Sequence, residues 1–141
     1  MQKLTAVFFW IYMLALLGVG ASGVLIAPWE LATLFGVPLD SFSPQARASL
    51  LSQYRFLKST ELAFGLFCFF WRGPIHLPGP AHRLFLAGIC TGVLARLGSW
   101  WVDGYPHPLF LAYAAEELIT ALLVARQARG AAQPDMAQTR A

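Results

Sequence analysis

Charge is scarce in this chain. Asp, Glu, Lys and Arg together make up 12% of its 141 residues, against roughly 25% in an ordinary soluble domain. Cysteine is scarcer still: Cys68 and Cys90 are the pair, and both fall inside apolar runs. That excludes a disulfide framework and leaves two small buried hydrophobes. The three histidines, His76, His82 and His107, lie in connecting segments on opposite sides of the apolar runs, so no shared metal site is expected. No glycine loop of the phosphate-cradling kind occurs. Ser22, Ser59 and Ser99 lack the Gly-x-Ser-x-Gly setting of a serine nucleophile. The net charge of +3 is not gathered into a basic stripe with exposed aromatics, which argues against a nucleic-acid partner. No cofactor is implied, and no internal repeat is present.

Hydrophobic residues are abundant: 57% of the chain, with a mean hydropathy of +0.57. Four apolar stretches cover residues 4–26, 57–71, 84–102 and 109–124. A bilayer core of about 30 Å takes about 20 helical residues. The first and third stretches meet this directly. The second meets it if its helix begins at Ser43-Pro44, an N-cap followed by proline at the first helical position. The fourth is short but can tilt or be flanked by snorkelling arginines. The first stretch exceeds the roughly 7–15 residues of a signal-peptide core, so it is retained as a helix. The expectation is an all-α, four-helix transmembrane bundle over residues 1–129, with a flexible cytoplasmic tail over 130–141. A short amphipathic helix at 29–35, ending at Gly36, is expected on the outer face between the first two spans. The segment 72–83 reads as a loop from its proline and glycine density. Lys3, Arg72, Arg83, Arg126, Arg129 and Arg140 fall at the N-terminus, this loop and the tail, which places both termini in the cytoplasm.

Against this background the charges inside the apolar runs are the informative residues, because each is costly at mid-bilayer. Counted at 1.5 Å per residue from each helix's inner arginine, Glu61 lies about 16 Å and Lys58 about 21 Å above Arg72. Arg96 lies about 20 Å above Arg83, and Glu116 and Glu117 about 15 and about 14 Å above Arg126. Residues from three helices therefore converge on one layer, with Arg55 and Asp103 above it. Lys58, Glu61 and Gly65 share one face, as do Gly92, Arg96, Ser99 and Asp103, and Tyr113, Glu117 and Thr120. Glu116 points about 100° away from Glu117, and Glu117 has the more polar stripe. Gly88 and Gly92 form a small-xxx-small pair for close helix packing or, alternatively, for a homo-oligomer contact.

Arg55 followed by a small-residue-rich apolar helix through Gly65, then Arg96-Leu-Gly, Asp103-Gly-x-Pro106 and Glu117-Leu, resembles a family of small four-span bacterial integral membrane proteins catalogued only as a domain of unknown function. The resemblance runs roughly from residue 4 to 126. It implies a four-helix bundle in a bacterial inner membrane and equivalence for Arg55, Arg96, Asp103 and Glu117, with no established activity. Ser59-Thr60 stand where that family suggests a glycine pair, and Lys58 and Glu61 add charge there. At the level of fold alone, membrane-embedded sterol isomerases and terpene cyclases also hold carboxylates in a bundle cavity.

Two functional expectations follow. The first is an acid–base enzyme, of isomerase or cyclase type, or a binding protein for an isoprenoid, sterol-like or quinone-like molecule. Glu117 is then the proton donor or acceptor, Glu61 or Asp103 its counterpart, and Arg96 the electrostatic organiser. Arg55, Lys58, Ser59, Tyr113 and Trp100 line the ligand. The alternative is a non-catalytic accessory or scaffold subunit whose buried charges only hold the helices together. Proton-linked transport is a weaker third, since no interrupted helix is evident.

Overall fold

A computed structural model describes the backbone of residues 2–138 and the side chains of residues 2–132. Every regular element among them is helical. The first, α1 (Gln2–Leu25), is long enough for about 36 Å of rise. Pro28 then occupies the first turn of α2 (Ala27–Trp29), which passes into a π-helical turn at Glu30–Leu34. Gly36 ends it in the left-handed region (φ 65°), and the Val37 N–H donates back to the Leu31 carbonyl at 2.9 Å. With glycine at C′ this resembles a Schellman closure, but the bond spans one residue more than six-to-one, in keeping with the wider π-helical turn before it. The short helix anticipated at 29–35 is therefore present, with its first turn two residues earlier.

A 3₁₀ turn at Leu39–Ser41 leads to α3 (Pro44–Phe70). Ser43 caps α3, its hydroxyl accepting from the Ala46 N–H at 3.3 Å. The segment read as a loop over 72–83 is partly helical: α4 occupies Arg72–Ile75, and α5 (Pro80–Asp103) starts at Pro80, not after Arg83. Proline at N1 is compatible with a helix start because its missing N–H has no partner there anyway. The His82 ring donates from Nδ1 to the Ile75 carbonyl at 2.8 Å, joining the two helices. Gly104 (φ 96°) ends α5, and α6 follows over Pro108–Gln138. Helix thus continues past the anticipated boundary at 129. Residues 139–141 of the anticipated tail lie outside the described residues.

Three of these helices are long and apolar enough to cross a membrane: Gln2–Leu25, Pro80–Asp103 and Pro108–Ala132. Large apolar side chains stand exposed along them, among them Leu14, Leu84, Leu94, Trp101 and Leu122. A soluble monomer rarely exposes apolar surface on this scale; lipid would cover it. The chain is a membrane protein by these three helices. Although α3 is as long, it carries Arg47, Arg55, Lys58 and Glu61.

The chain divides into two compact units: Met13–Phe67, here the first unit, and the chain before and after it, here the second. In the first unit α1 and α3 run antiparallel. A Cβ on Gly20 would lie 2.6 Å from the Leu62 backbone nitrogen, and one on Gly65 would lie 3.0 Å from the Leu17 side chain. At Gly20, where the neighbour is backbone, only glycine permits that approach; at Gly65 a side chain would have to push the leucines aside. In the second unit α5 and α6 form an antiparallel hairpin. Phe9, Tyr12, Ile75, Phe85, Ile89 and Val124 supply its buried apolar core. Phe9 packs on Phe85 at 5.8 Å and on His76 at 4.8 Å between ring centroids.

Candidate functional site

Each unit buries its own charged cluster. In the first unit the centre is Glu30, 5% exposed, on the π-helical turn. It accepts from the Ser22 hydroxyl at 2.7 Å through Oε1 and from the Tyr54 hydroxyl at 2.7 Å through Oε2. Tyr54, Lys58 and Glu61 follow one another on the same face of α3, at i, i+4 and i+7. Lys58, also 5% exposed, donates to Glu61 Oε2 at 2.8 Å and lies 5.4 Å from the centroid of the Tyr54 ring, within reach of a cation–π attraction. Gly23 makes this arrangement fit. A Cβ there would collide with the Lys58 methylenes and lie 3.0 Å from Glu30 Oε2. The same glycine thus touches the lysine stem and the carboxylate.

In the second unit Arg96 on α5 and Glu117 on α6 form a two-pronged pair. The guanidinium donates from Nε to Oε2 and from Nη2 to Oε1, both at 3.2 Å. The Glu117 side chain is 9% exposed and that of Arg96 29%. Two parallel N–H···O bonds fix orientation as well as charge. The Arg96 guanidinium carbon also lies 5.7 Å from the Phe110 ring and 5.9 Å from the Tyr113 ring. Gly92, one turn before Arg96, faces Glu117 Oε2, which a Cβ would meet at 3.8 Å. Glu116 points elsewhere, accepting from the Thr120 hydroxyl at 2.8 Å.

The anticipated site residues therefore divide. Arg96, Glu117 and Tyr113 come together, and so do Lys58 and Glu61. Asp103 is exposed and accepts from the Ser99 hydroxyl at 2.8 Å. Arg55 is exposed and donates from Nε to the Val24 carbonyl at 3.3 Å. Ser59 turns its hydroxyl back to the Phe56 carbonyl of its own helix. Trp100 is 43% exposed and stacks edge-on with Tyr105 at 5.9 Å. Sequence reasoning missed Glu30, Tyr54 and Ser22. Tyr54 had a signal, since it shares the Lys58 and Glu61 stripe. Glu30 had none in its own helix, because it is buried only after the turn at Pro28 folds the short helix back. Among the described residues no group of three His, Cys, Asp or Glu side chains is arranged to hold a metal ion.

No curated protein and no solved structure matches the chain. A family model does match, over residues 4–126, and its description is a domain of unknown function, DUF4345. The match spans α1 through most of α6 and includes every residue of both charged clusters, so the chain belongs to the DUF4345 family.

Proposed function

We propose that the chain binds a hydrophobic small molecule of isoprenoid, sterol-like or quinone-like character at its intramembrane charged groups and acts on it by acid–base chemistry. The carrying observation is a pair of carboxylates in the first unit, Glu30 buried and Glu61 half-buried, held in unlike ways. Glu30 receives two neutral hydroxyls, whereas Glu61 faces the Lys58 ammonium. Proton transfer to or from an apolar substrate needs one group that gives and one that takes. Unlike surroundings let two carboxyls divide those roles. Tyr54, bonded to Glu30, supplies a hydroxyl through which a proton can pass. Glu117, organised by Arg96, is the corresponding acid of the second unit.

In this reading α3 is a fourth span that completes a four-helix bundle. Its exposed Phe56, Leu57, Leu66 and Phe70 support it, as does the pairing of its buried charges, which offsets their insertion cost. The basic residues orient both termini and the 72–83 connection toward the cytoplasm of a bacterial inner membrane.

The test is isotope exchange. The full chain in lipid nanodiscs is incubated in D₂O with a polyprenol, a sterol or a quinone, and the recovered compound is weighed by mass spectrometry. Deuterium on carbon, lost in Glu61→Gln and in Glu30→Gln, is the expected result. Absence of both binding and exchange across the three compounds would overturn the reading.

One observation favours a second reading, an accessory or scaffold subunit. Both oxygens of Glu117 are already engaged by Arg96, which is what a pair that merely fastens α5 to α6 requires. In that case neither glutamine variant alters any ligand, and only stability responds.

A further inference from the structure

The first unit sets one ammonium beside two acids. Lys58 Nζ donates to Glu61 Oε2 at 2.8 Å, yet the stem of Lys58 lies beside Glu30. The point that a Cβ on Gly23 would occupy meets the Lys58 Cγ and Cδ methylenes and stands 3.0 Å from Glu30 Oε2. Both methylenes are nearer to that point than the oxygen is, so Cδ and Glu30 Oε2 are less than twice this distance apart. Nζ extends about 2.5 Å beyond Cδ. Turning the last two side-chain bonds from one staggered setting to another can therefore carry the ammonium from Glu61 into hydrogen-bond range of Glu30.

Two further features suit such a move. Glu30 is served by the Ser22 and Tyr54 hydroxyls, each at 2.7 Å. A hydroxyl both donates and accepts, so Glu30 keeps its partners whether it is ionised or neutral. One buried ammonium offsets one buried carboxylate, and a second ionised acid left without a cation is costly. Arg55, the neighbouring charge on α3, is turned to the Val24 carbonyl, so Lys58 is the cation bonded to the pair.

We propose that Lys58 is a positioning residue that assigns the two acid roles, its ammonium attending whichever of Glu61 and Glu30 is ionised. The inference rests on the proton-transfer reading of this site. At the start of a turnover the ammonium is on Glu61 and Glu30 is the acid. Glu30 gives its proton to one carbon of a substrate double bond, whose electron pair forms the new C–H bond and leaves the neighbouring carbon positive. The ammonium crosses to the new Glu30 carboxylate. Glu61, now without a cation, takes a proton from the next carbon along, and the electrons of that C–H bond close the shifted double bond. One proton enters the substrate and one leaves it, and the site ends with the two roles exchanged.

The experiment has two arms, both on the full chain. Thermal unfolding in uncharged detergent compares Glu30→Gln, Glu61→Gln and the double variant. Each single variant is expected to lower the midpoint slightly, because the ammonium turns to the acid that remains. The double variant should lose more than the sum of the two, and adding Lys58→Met to it should restore most of the loss. Additive losses, or a Glu61→Gln loss as large as that of the double variant, would overturn the proposal. The second arm follows deuterium exchange into a polyprenol in nanodiscs. Lys58→Met should cut the rate at saturating compound about a hundredfold, as the loss of one electrostatic partner does, and leave the half-saturating concentration in place. A merely structural lysine would lower stability without that split. Parental exchange in Lys58→Met would also overturn the role. Exchange absent from the parent protein removes the proton-transfer reading instead, and the unfolding arm still decides whether the ammonium serves both acids.

Discussion

The two units bury an acid in opposite ways. Glu117 is clamped by a guanidinium on the neighbouring helix, each oxygen taking one N–H. Glu30 is held by two hydroxyls that carry no charge, while the nearby ammonium of Lys58 is turned to Glu61. A clamped carboxylate gains position and loses freedom, since moving its proton means disturbing a cation. A carboxylate among hydroxyls keeps a path for proton exchange. The two acids are almost equally buried, and the difference lies in their partners.

The sharpest way to break the contrast is to remove the clamp. Arg96→Met leaves Glu117 buried and unpaired, at an expected cost of about 3–5 kcal/mol. Adding Glu117→Leu should recover most of it, because the double variant carries no orphaned charge. Unfolding in detergent, run as a double-mutant cycle, measures the coupling. Additive losses would show that the pair fastens nothing.

The packing beneath the two clusters is next. Gly20→Ala sets a methyl against the Leu62 backbone and is expected to cost about 1–3 kcal/mol by overpacking. Gly92→Ala meets Glu117 Oε2 at an ordinary 3.8 Å and gains helix propensity of about 1 kcal/mol, so its melting temperature should hold or rise. Equal losses at both positions would erase the distinction between a tight α1–α3 crossing and a looser α5–α6 one.

The smallest effect is confined to the second unit. The His76 imidazole sits below its ordinary value of 6.5 because of burial and the nearby His82, so the unfolded chain takes up its proton first. The stability linked to His76 is complete above that value and falls as pH drops beneath it. The melting temperature of the parent should therefore decline on acidification from about pH 7 to about pH 5, and that of His76→Phe should decline less. Identical profiles would remove His76 from the account.

Much of this was legible in the sequence. Apolar length led to four expected spans, of which α1, α5 and α6 are long and apolar enough to cross a membrane; Pro44 and Gly36 marked a helix start and a helix end correctly, whereas α5 begins at Pro80, inside the segment read as a loop. The Arg96–Glu117 pair followed from counting rise along two adjacent helices, which a short turn forces to run antiparallel. Glu30 did not follow, since nothing in its local pattern tells whether a short helix after Pro28 lies flat or turns its acid inward. Nor did the roles of Gly20 and Gly23. A glycine in an apolar helix looks the same whether it faces lipid or another backbone, and only the partner surface decides. Asp103 looked like a site residue because it is charged and well placed in register, yet it is the last residue of α5, and the end of a helix is where a charge can reach solvent cheaply; Arg55, within α3, is turned to the Val24 carbonyl instead.

At Gly23 the chain omits a side chain, and the methylenes of Lys58 lie in the notch. A long, supple cation thereby acquires the positional definition of a short, stiff one. The rotamer freedom that lysine would surrender on meeting a guest is surrendered during folding instead. Whatever approaches Lys58 encounters a charge already set in place.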